Sequence, residues 1–152
     1  MKVEELVRKY LVEAKMMQLS TAVGNQPWVC NVWFAADNDF NIYWFSSVDR
    51  RHSEEVRKNP KVAAAICLPQ TPKDTPRGLR LEGVAEELNS EKDIAKARSV
   101  YENRIFDTKT TDKLMAHPEK PHKFYRIKPK LFVLFDAFNF PDESRQEWRP
   151  NL

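Results

Sequence analysis

The chain has 152 residues, 41% of them hydrophobic, which suffices for one packed core and favours a single domain over 1–152. Lys and Arg number 25 against 22 Asp and Glu, and the resulting net charge of +3 is too small to argue for a nucleic-acid partner. No apolar run approaches the roughly 20 residues of a membrane helix and Met1-Lys2-Val3-Glu4-Glu5 is too charged for a secretory leader, so the expectation is a cytoplasmic protein without a membrane partner, with Cys30 and Cys67 reduced and buried in strands.

Val3, Leu6, Val7, Tyr10, Leu11 and Ala14 recur at helical spacing, which predicts an amphipathic helix over 2–15. Gly24-Asn25-Gln26-Pro27 is a turn between two strand-forming runs, Met17–Val23 and Trp28–Ala36. Asp37-Asn38-Asp39 turns the chain into a third strand, Asn41–Ser46. A short helix, Glu54–Lys58, ends at Asn59-Pro60, because proline disfavours a helical residue before it. Val62–Leu68 is a buried strand, and the proline-rich Pro69–Gly78 is an exposed loop. Leu79–Leu88 alternates like a half-exposed strand. Ser90 and Asp93 mark a helix start whose buried stripe is Ile94, Ala97, Val100, Tyr101 and Ile105. Thr111–Ala116 adds a short helix, and Phe124–Ile127 and Leu131–Phe138 are two strands broken at Lys128-Pro129-Lys130. Residues 139–152, with Phe140 and Trp148 but no regular period, read as an arm packed on the body or on a neighbour. Strands outnumber helices and short turns join many of them, which suggests a closed antiparallel barrel with helices outside.

Two constellations carry chemistry. At Ser46–Ser53 an aromatic strand runs into hydroxyls and three basic side chains, Arg50, Arg51 and His52, just before a helix that starts near Ser53. Arg forks two N–H groups onto phosphate oxygens, and a helix N-terminus adds free amides and a positive dipole end. The competing reading is a solvated basic turn whose charges pair with Glu54 and Glu55. The second constellation is aromatic: Trp28, Trp33, Phe34, Tyr43, Trp44 and Phe45. Adjacent strand residues face opposite sides, so one of each pair fills the barrel and the other needs a second layer, a ligand or a partner subunit; dimerisation supplies this most simply. Tyr101 and Arg104 lie three apart on one helix face, where Arg104 would reach either an anionic ligand or a surface carboxylate. His52, His117 and His122 show no zinc-ligand spacing with the cysteines, so no metal site is expected. With only three glycines and no Gly-rich phosphate loop, a Rossmann domain is excluded; no Gly-x-Ser-x-Gly elbow occurs.

Trp28–Phe34, Ile42–His52, Asn59-Pro60-Lys61-Val62 and Gly78–Leu88 together resemble, in order and spacing, the pyridoxamine 5′-phosphate oxidase-like, FMN-binding split-barrel family, over about residues 5–138. Tyr101–Phe106 and the helix before it are most similar to the small YhbP-type subgroup. The resemblance implies a mainly β fold: a six-stranded antiparallel split barrel of Greek-key type with flanking helices, forming a homodimer with FMN at the subunit interface. It places the backbone of Asn31, Val32, Trp33 and Phe34 along the isoalloxazine, with Trp33 and Phe34 bordering the ring. Phe45, Ser46, Arg51 and His52, joined by Arg50, fall at the phosphate. The family's Arg-Lys pair is here Arg51-His52, which implies a charged imidazole and an FMN affinity that falls as pH rises past neutrality. Cys30 and Ala35 occupy the positions where true pyridoxamine phosphate oxidases carry a substrate-holding Arg and Lys. Gly78 replaces a flavin-contacting Gln, and Arg145–Pro150 lacks the Arg-x-His substrate pair. The expectation is therefore a flavin-dependent oxidoreductase of unknown substrate, not a true pyridoxamine phosphate oxidase, with no residue assigned as catalytic. The alternatives are a non-catalytic flavin, heme or deazaflavin binder acting as carrier or sensor, and a cofactor-free interaction module.

Overall fold

The computed structural model describes residues 1–150; Asn151 and Leu152, the end of the expected arm, lie outside the described residues. The elements in chain order are helix α1 (Val3–Glu13), strands β1 (Met16–Val23), β2 (Gln26–Trp33), β3 (Ala35–Ala36) and β4 (Ile42–Ser47), helix α2 (Arg51–Lys58), strands β5 (Lys61–Ile66) and β6 (Arg77–Glu87), helices α3 (Glu91–Tyr101) and α4 (Thr108–Met115), and strands β7 (His122–Asp136) and β8 (Arg145–Trp148). All strands join one antiparallel sheet in the order β2-β1-β5-β6-β7-β4-β3, with β8 beside β7. The two ends of that order, β2 and β3, are successive pieces of one segment separated by Phe34. The sheet must therefore curl until its edges approach, which makes a split barrel.

Eight strands stand against the six expected. The difference lies in β3, which continues β2 past the bend at Phe34, and in β8, formed by the arm. Trp148 of β8 packs 4.7 Å from Phe40 and 5.8 Å from Phe132, centroid to centroid. The two expected C-terminal strands are one: β7 runs unbroken through Pro129. The register there shifts between Glu82 and Gly83, so Lys130 has no partner on β6. A proline within a ladder is accommodated at such a bulge because it has no N–H to offer.

The barrel interior is filled by α1 (Leu6, Val7, Tyr10) and inward strand residues such as Met17, Phe34, Trp44 and Phe132. Trp44 stacks on Tyr125 with ring centroids 5.0 Å apart. A second core lies on the other face of β4 and β7. There Tyr43, Phe45 and Phe124 pack under α3 and α4 against Ala97 and Tyr101. Ser90 caps α3 by accepting a hydrogen bond from the Asp93 amide at 3.1 Å. Arg104 pairs with no carboxylate among the described residues: α3 ends at Tyr101, and the Arg104 guanidinium donates to the Leu11 and Val12 carbonyls in the last turn of α1 and to that of Ala14 just after it. It caps the negative end of that helix.

The Pro69–Gly78 loop is exposed, and its neck is stitched. Gln70 donates to the Arg77 carbonyl at 2.7 Å and accepts from the Arg77 amide at 3.1 Å. Cys30 is half-buried and Cys67 exposed, so the expectation of two buried thiols fails at Cys67, which follows the end of β5. Among the described residues no helix is long and apolar enough to cross a membrane.

Candidate functional site

The basic turn is shorter than its sequence suggests. Arg50 is the N-cap of α2, in extended conformation, and its carbonyl accepts the Glu54 amide at 3.0 Å. Arg51 and His52 thus lie inside the first helical turn rather than before it. Ser53 ties that turn to β4 by donating to the Ser47 carbonyl at 2.8 Å.

A closed circuit of side chains fixes Arg51. Trp28 on β2 pairs in register with Thr21 on β1. Thr21 Oγ1 donates to Glu55 Oε1 at 2.8 Å, and Arg51 Nε donates to Glu55 Oε2 at 3.0 Å. The guanidinium carbon then lies 4.1 Å from the centre of the Trp28 ring, a cation–π contact. The hydrogen bond from Thr21, and then that from Arg51, holds the buried Glu55 carboxyl below its ordinary pKa. One edge and one face of the guanidinium are occupied, while Nη1 and Nη2 have no partner among the described residues. The side chain is 45% exposed. That leaves a guanidinium fixed at Nε, with its two terminal nitrogens unpaired among the described residues, a geometry able to fork onto an anion's oxygens. The pairing with Glu55 was one half of the competing sequence reading, and it holds Arg51 without consuming the fork.

His52 does something else. It is buried, with Nε2 2.9 Å from Ser46 Oγ. Burial first, and then the nearby Arg50, push its pKa below the usual 6.5. Without a bound dianion these surroundings disfavour the charged imidazole, and its visible role is to hold the Ser46 hydroxyl; the expected charge belongs to the FMN-bound state. A histidine with a depressed folded pKa binds fewer protons folded than unfolded near its ordinary pKa. Its contribution to stability is present above about pH 6.5 and is lost as pH falls. His122, depressed by burial and Arg50, acts in the same sense. Denaturant unfolding should thus show stability falling from about pH 7 to pH 5, above the range where carboxylates titrate. His52→Gln should flatten that fall; an unchanged slope in the variant would remove His52 from this role.

The remaining expected site residues divide between faces. On β2, Asn31 is exposed and accepts a hydrogen bond from Gln18, and Trp33 is 46% exposed. With Trp28 and Val29 they leave an apolar, unpartnered edge strand beside Arg51. Val32 and Phe34 point into the barrel, Phe34 completely buried, so Phe34 offers a ligand no ring surface and the expectation that it borders the flavin is corrected. Phe45 lies behind β4 in the second core, 6.0 Å from Tyr101 and 4.5 Å from Phe124. Its cover comes from the chain's own α3, not from a partner subunit. The Arg50 side chain is exposed and has no hydrogen-bond or ion-pair partner among the described residues.

Sequence reasoning missed Thr21 and Glu55 as the anchor. The i, i+4 spacing of Arg51 and Glu55 was the available signal. It also missed the largest described cleft, about 430 Å³ on the outer face of β1, β5 and β6, bordered by Ser20, Thr21, Pro27, Ala63, Gly83 and Lys130. Thr21 belongs to both the cleft and the Arg51 circuit. Burial raises the Cys30 thiol to about 11, which makes it a poor nucleophile.

Comparison with known proteins agrees with the fold. The UPF0306 protein plu4501 of Photorhabdus laumondii subsp. laumondii is 29% identical over 96 residues, 62% of this chain and 67% of that protein. Among solved structures, a heme binding protein from Mycobacterium smegmatis superposes with a TM-score of 0.79 at 14% identity, over 99% of this chain and 59% of the other. A FAD-binding protein from Mesorhizobium loti superposes with a TM-score of 0.64 at 24% identity, over 86% of this chain and 90% of that one. At such identities the likeness is one of fold, and it makes the curled sheet a split barrel of this class. The family model described as pyridoxamine 5'-phosphate oxidase matches residues 3–133, from the first turn of α1 into the second half of β7. The chain belongs to the pyridoxamine 5'-phosphate oxidase family.

Proposed function

We propose that this protein binds FMN and serves as a flavin-dependent oxidoreductase whose substrate is not pyridoxamine phosphate. The observation that carries the reading is the anchored Arg51, with its free fork beside an edge strand of exposed aromatic residues. The residues fit the group. Arg51 and Arg50 would hold the phosphate, with Ser46 set by His52. The β2 edge at Asn31–Trp33 would supply backbone hydrogen bonds and a flat apolar border for the ring. FMN, when bound, supplies hydride and single-electron chemistry. The chain's own part is to bind, orient and shield the ring. Cys30 and Ala35 offer no charge to a substrate phosphate, which supports a substrate other than pyridoxamine phosphate.

The proposal includes a homodimer. The outer sheet face places small residues, Ser20, Ala22 and Ala63, beside exposed Val29 and Trp33, a surface that a second copy would cover. A heme reading has its counterpart in the Mycobacterium smegmatis protein, but the histidines speak against it here. His52 Nε2 is spent on Ser46, His122 lies behind β4 against Phe45, and His117 Nδ1 accepts the Lys120 amide at 3.1 Å.

The test is titration of the full chain with FMN, riboflavin and hemin, with light scattering for assembly. Saturable FMN binding by a dimer, tighter than riboflavin by about tenfold or more, is the expected outcome. Anaerobic bleaching of the bound flavin by NADH or NADPH separates turnover from carriage. Hemin bound more tightly than FMN, or no binding of either flavin, would sink the proposal.

A further inference from the structure

Burying a carboxylate is unfavourable unless its partners offset the lost hydration. The buried carboxylates among the described residues are those of Glu55 and Asp136. Asp136 closes a turn, accepting the Phe138 and Asn139 amides at 3.0 and 2.9 Å. Glu55 accepts from two side chains instead, Thr21 on one oxygen and Arg51 on the other. Helix α2 has other fastenings: Val56 in the barrel core, Ser53 on the Ser47 carbonyl at 2.8 Å, and Asn59 Nδ2 on the Ala22 carbonyl at 2.9 Å. What Glu55 adds to these is the direction of Arg51.

Charge and geometry act in opposite senses at this pair. A carboxylate oxygen 3.0 Å from Arg51 Nε lowers the positive potential that an incoming phosphate meets, so as a charge Glu55 opposes anion binding. As a lever it favours binding. Arg has a long side chain, and its freedom is lost when it grips a phosphate. Here Glu55 holds Nε and the Trp28 ring lies 4.1 Å from the guanidinium carbon, so much of that freedom is already gone before a ligand arrives. Thr21 sets the lever: its hydroxyl takes Oε1 at 2.8 Å and leaves Oε2 for Arg51. Thr21 is buried and is the cross-strand partner of Trp28, so one rung between β1 and β2 carries both constraints on Arg51.

We propose that Thr21 is a positioning residue for the FMN phosphate: acting through Glu55, its hydroxyl aims the terminal nitrogens of Arg51 at the phosphate oxygens. Resting on the FMN reading, this makes orientation, and not net charge, the source of phosphate affinity at the turn.

The test titrates FMN and riboflavin into the full chain and its variants and compares the ratio of the two dissociation constants; riboflavin binding also shows that each variant is folded. Thr21→Val keeps the shape and removes the donor. It should lower the preference for FMN roughly two- to tenfold, the worth of immobilising one long side chain. Thr21→Ser should restore the preference. Glu55→Ala should lower it in the same way, although the change removes a negative charge. Glu55→Gln should keep it, because the amide rebuilds the relay without the charge: its N–H donates to the Thr21 hydroxyl and its carbonyl accepts from Arg51 Nε. Should Thr21→Val not fold, Glu55→Ala against Glu55→Gln carries the same comparison. A stronger FMN preference in Glu55→Ala than in wild type overturns the inference and leaves Glu55 a charge alone. A selective wild type matched by folded Thr21→Val, or equal losses for FMN and riboflavin in that variant, overturns the inference while the FMN reading stands. Wild type that binds FMN no tighter than riboflavin overturns both.

Discussion

Arg51→Ala should weaken FMN binding by about 1.5–3 kcal/mol, the worth of a hydrogen bond to a charged group, which is roughly tenfold to more than a hundredfold in the dissociation constant. Riboflavin, which lacks the phosphate, should bind the variant as it binds the wild type. The ratio of the two affinities carries the argument, because it cancels any general loosening of the site. Glu55 keeps its bond from Thr21 in the variant, so α2 stays docked on β1. Arg51→Lys should recover only part of the loss. An ammonium cannot donate to Glu55, lie flat on Trp28 and still present two parallel N–H groups. Trp28→Ala, which removes the platform but leaves the charge, should fall between wild type and Arg51→Ala. Equal losses for FMN and riboflavin would place Arg51 in the fold rather than at a phosphate.

What the sequence made legible, and what it hid, divides along contact range. The 3.6-residue period of Val3–Ala14 and the Ser90–Asp93 cap are local signals, and α1 and α3 follow from them. The opposite facing of Trp33 and Phe34 is equally local: one is 46% exposed and the other fully buried. The same rule left open what covers the second face of β4. The answer, α3 with Tyr101 over Phe45, depends on where a helix far later in the chain returns. Arg51 shows the division within one side chain. Its bond to Glu55 lies at i+4, whereas its stack on Trp28 requires β1 to pair both β2 and β5. Pro129 misled for a third reason. A proline in a strand-like run signals a break, and only the register against β6 shows that a bulge absorbs it.

That bulge makes a single methyl group costly. At Gly83 an added Cβ would collide with the Lys128 carbonyl oxygen and lie 2.9 Å from Pro129 Cα. All of these are backbone atoms of the neighbouring strand, so no side chain can rotate away. Relief requires β6 and β7 to part where Glu82 still pairs with Leu131 and Gly83 with Pro129. Gly83→Ala should therefore destabilise the fold by about 3 kcal/mol, at the upper end of overpacking effects, and lower the melting temperature by about 10 °C for a chain of this length. Gly78→Ala is the control on the same strand. There the nearest atom is Cys67 Sγ at 3.9 Å, an ordinary contact, and the change should stay within about 0.5 kcal/mol. Gly83 and Lys130 also border the outer cleft. If a second copy completes the flavin site there, Gly83→Ala should weaken dimerisation at temperatures where the monomer is still folded, while Gly78→Ala leaves the stability of the monomer unchanged. Melting curves for Gly83→Ala that overlay the wild type would mean that β7 yields freely at Pro129, and the rigid bulge would then not be what shapes the cleft.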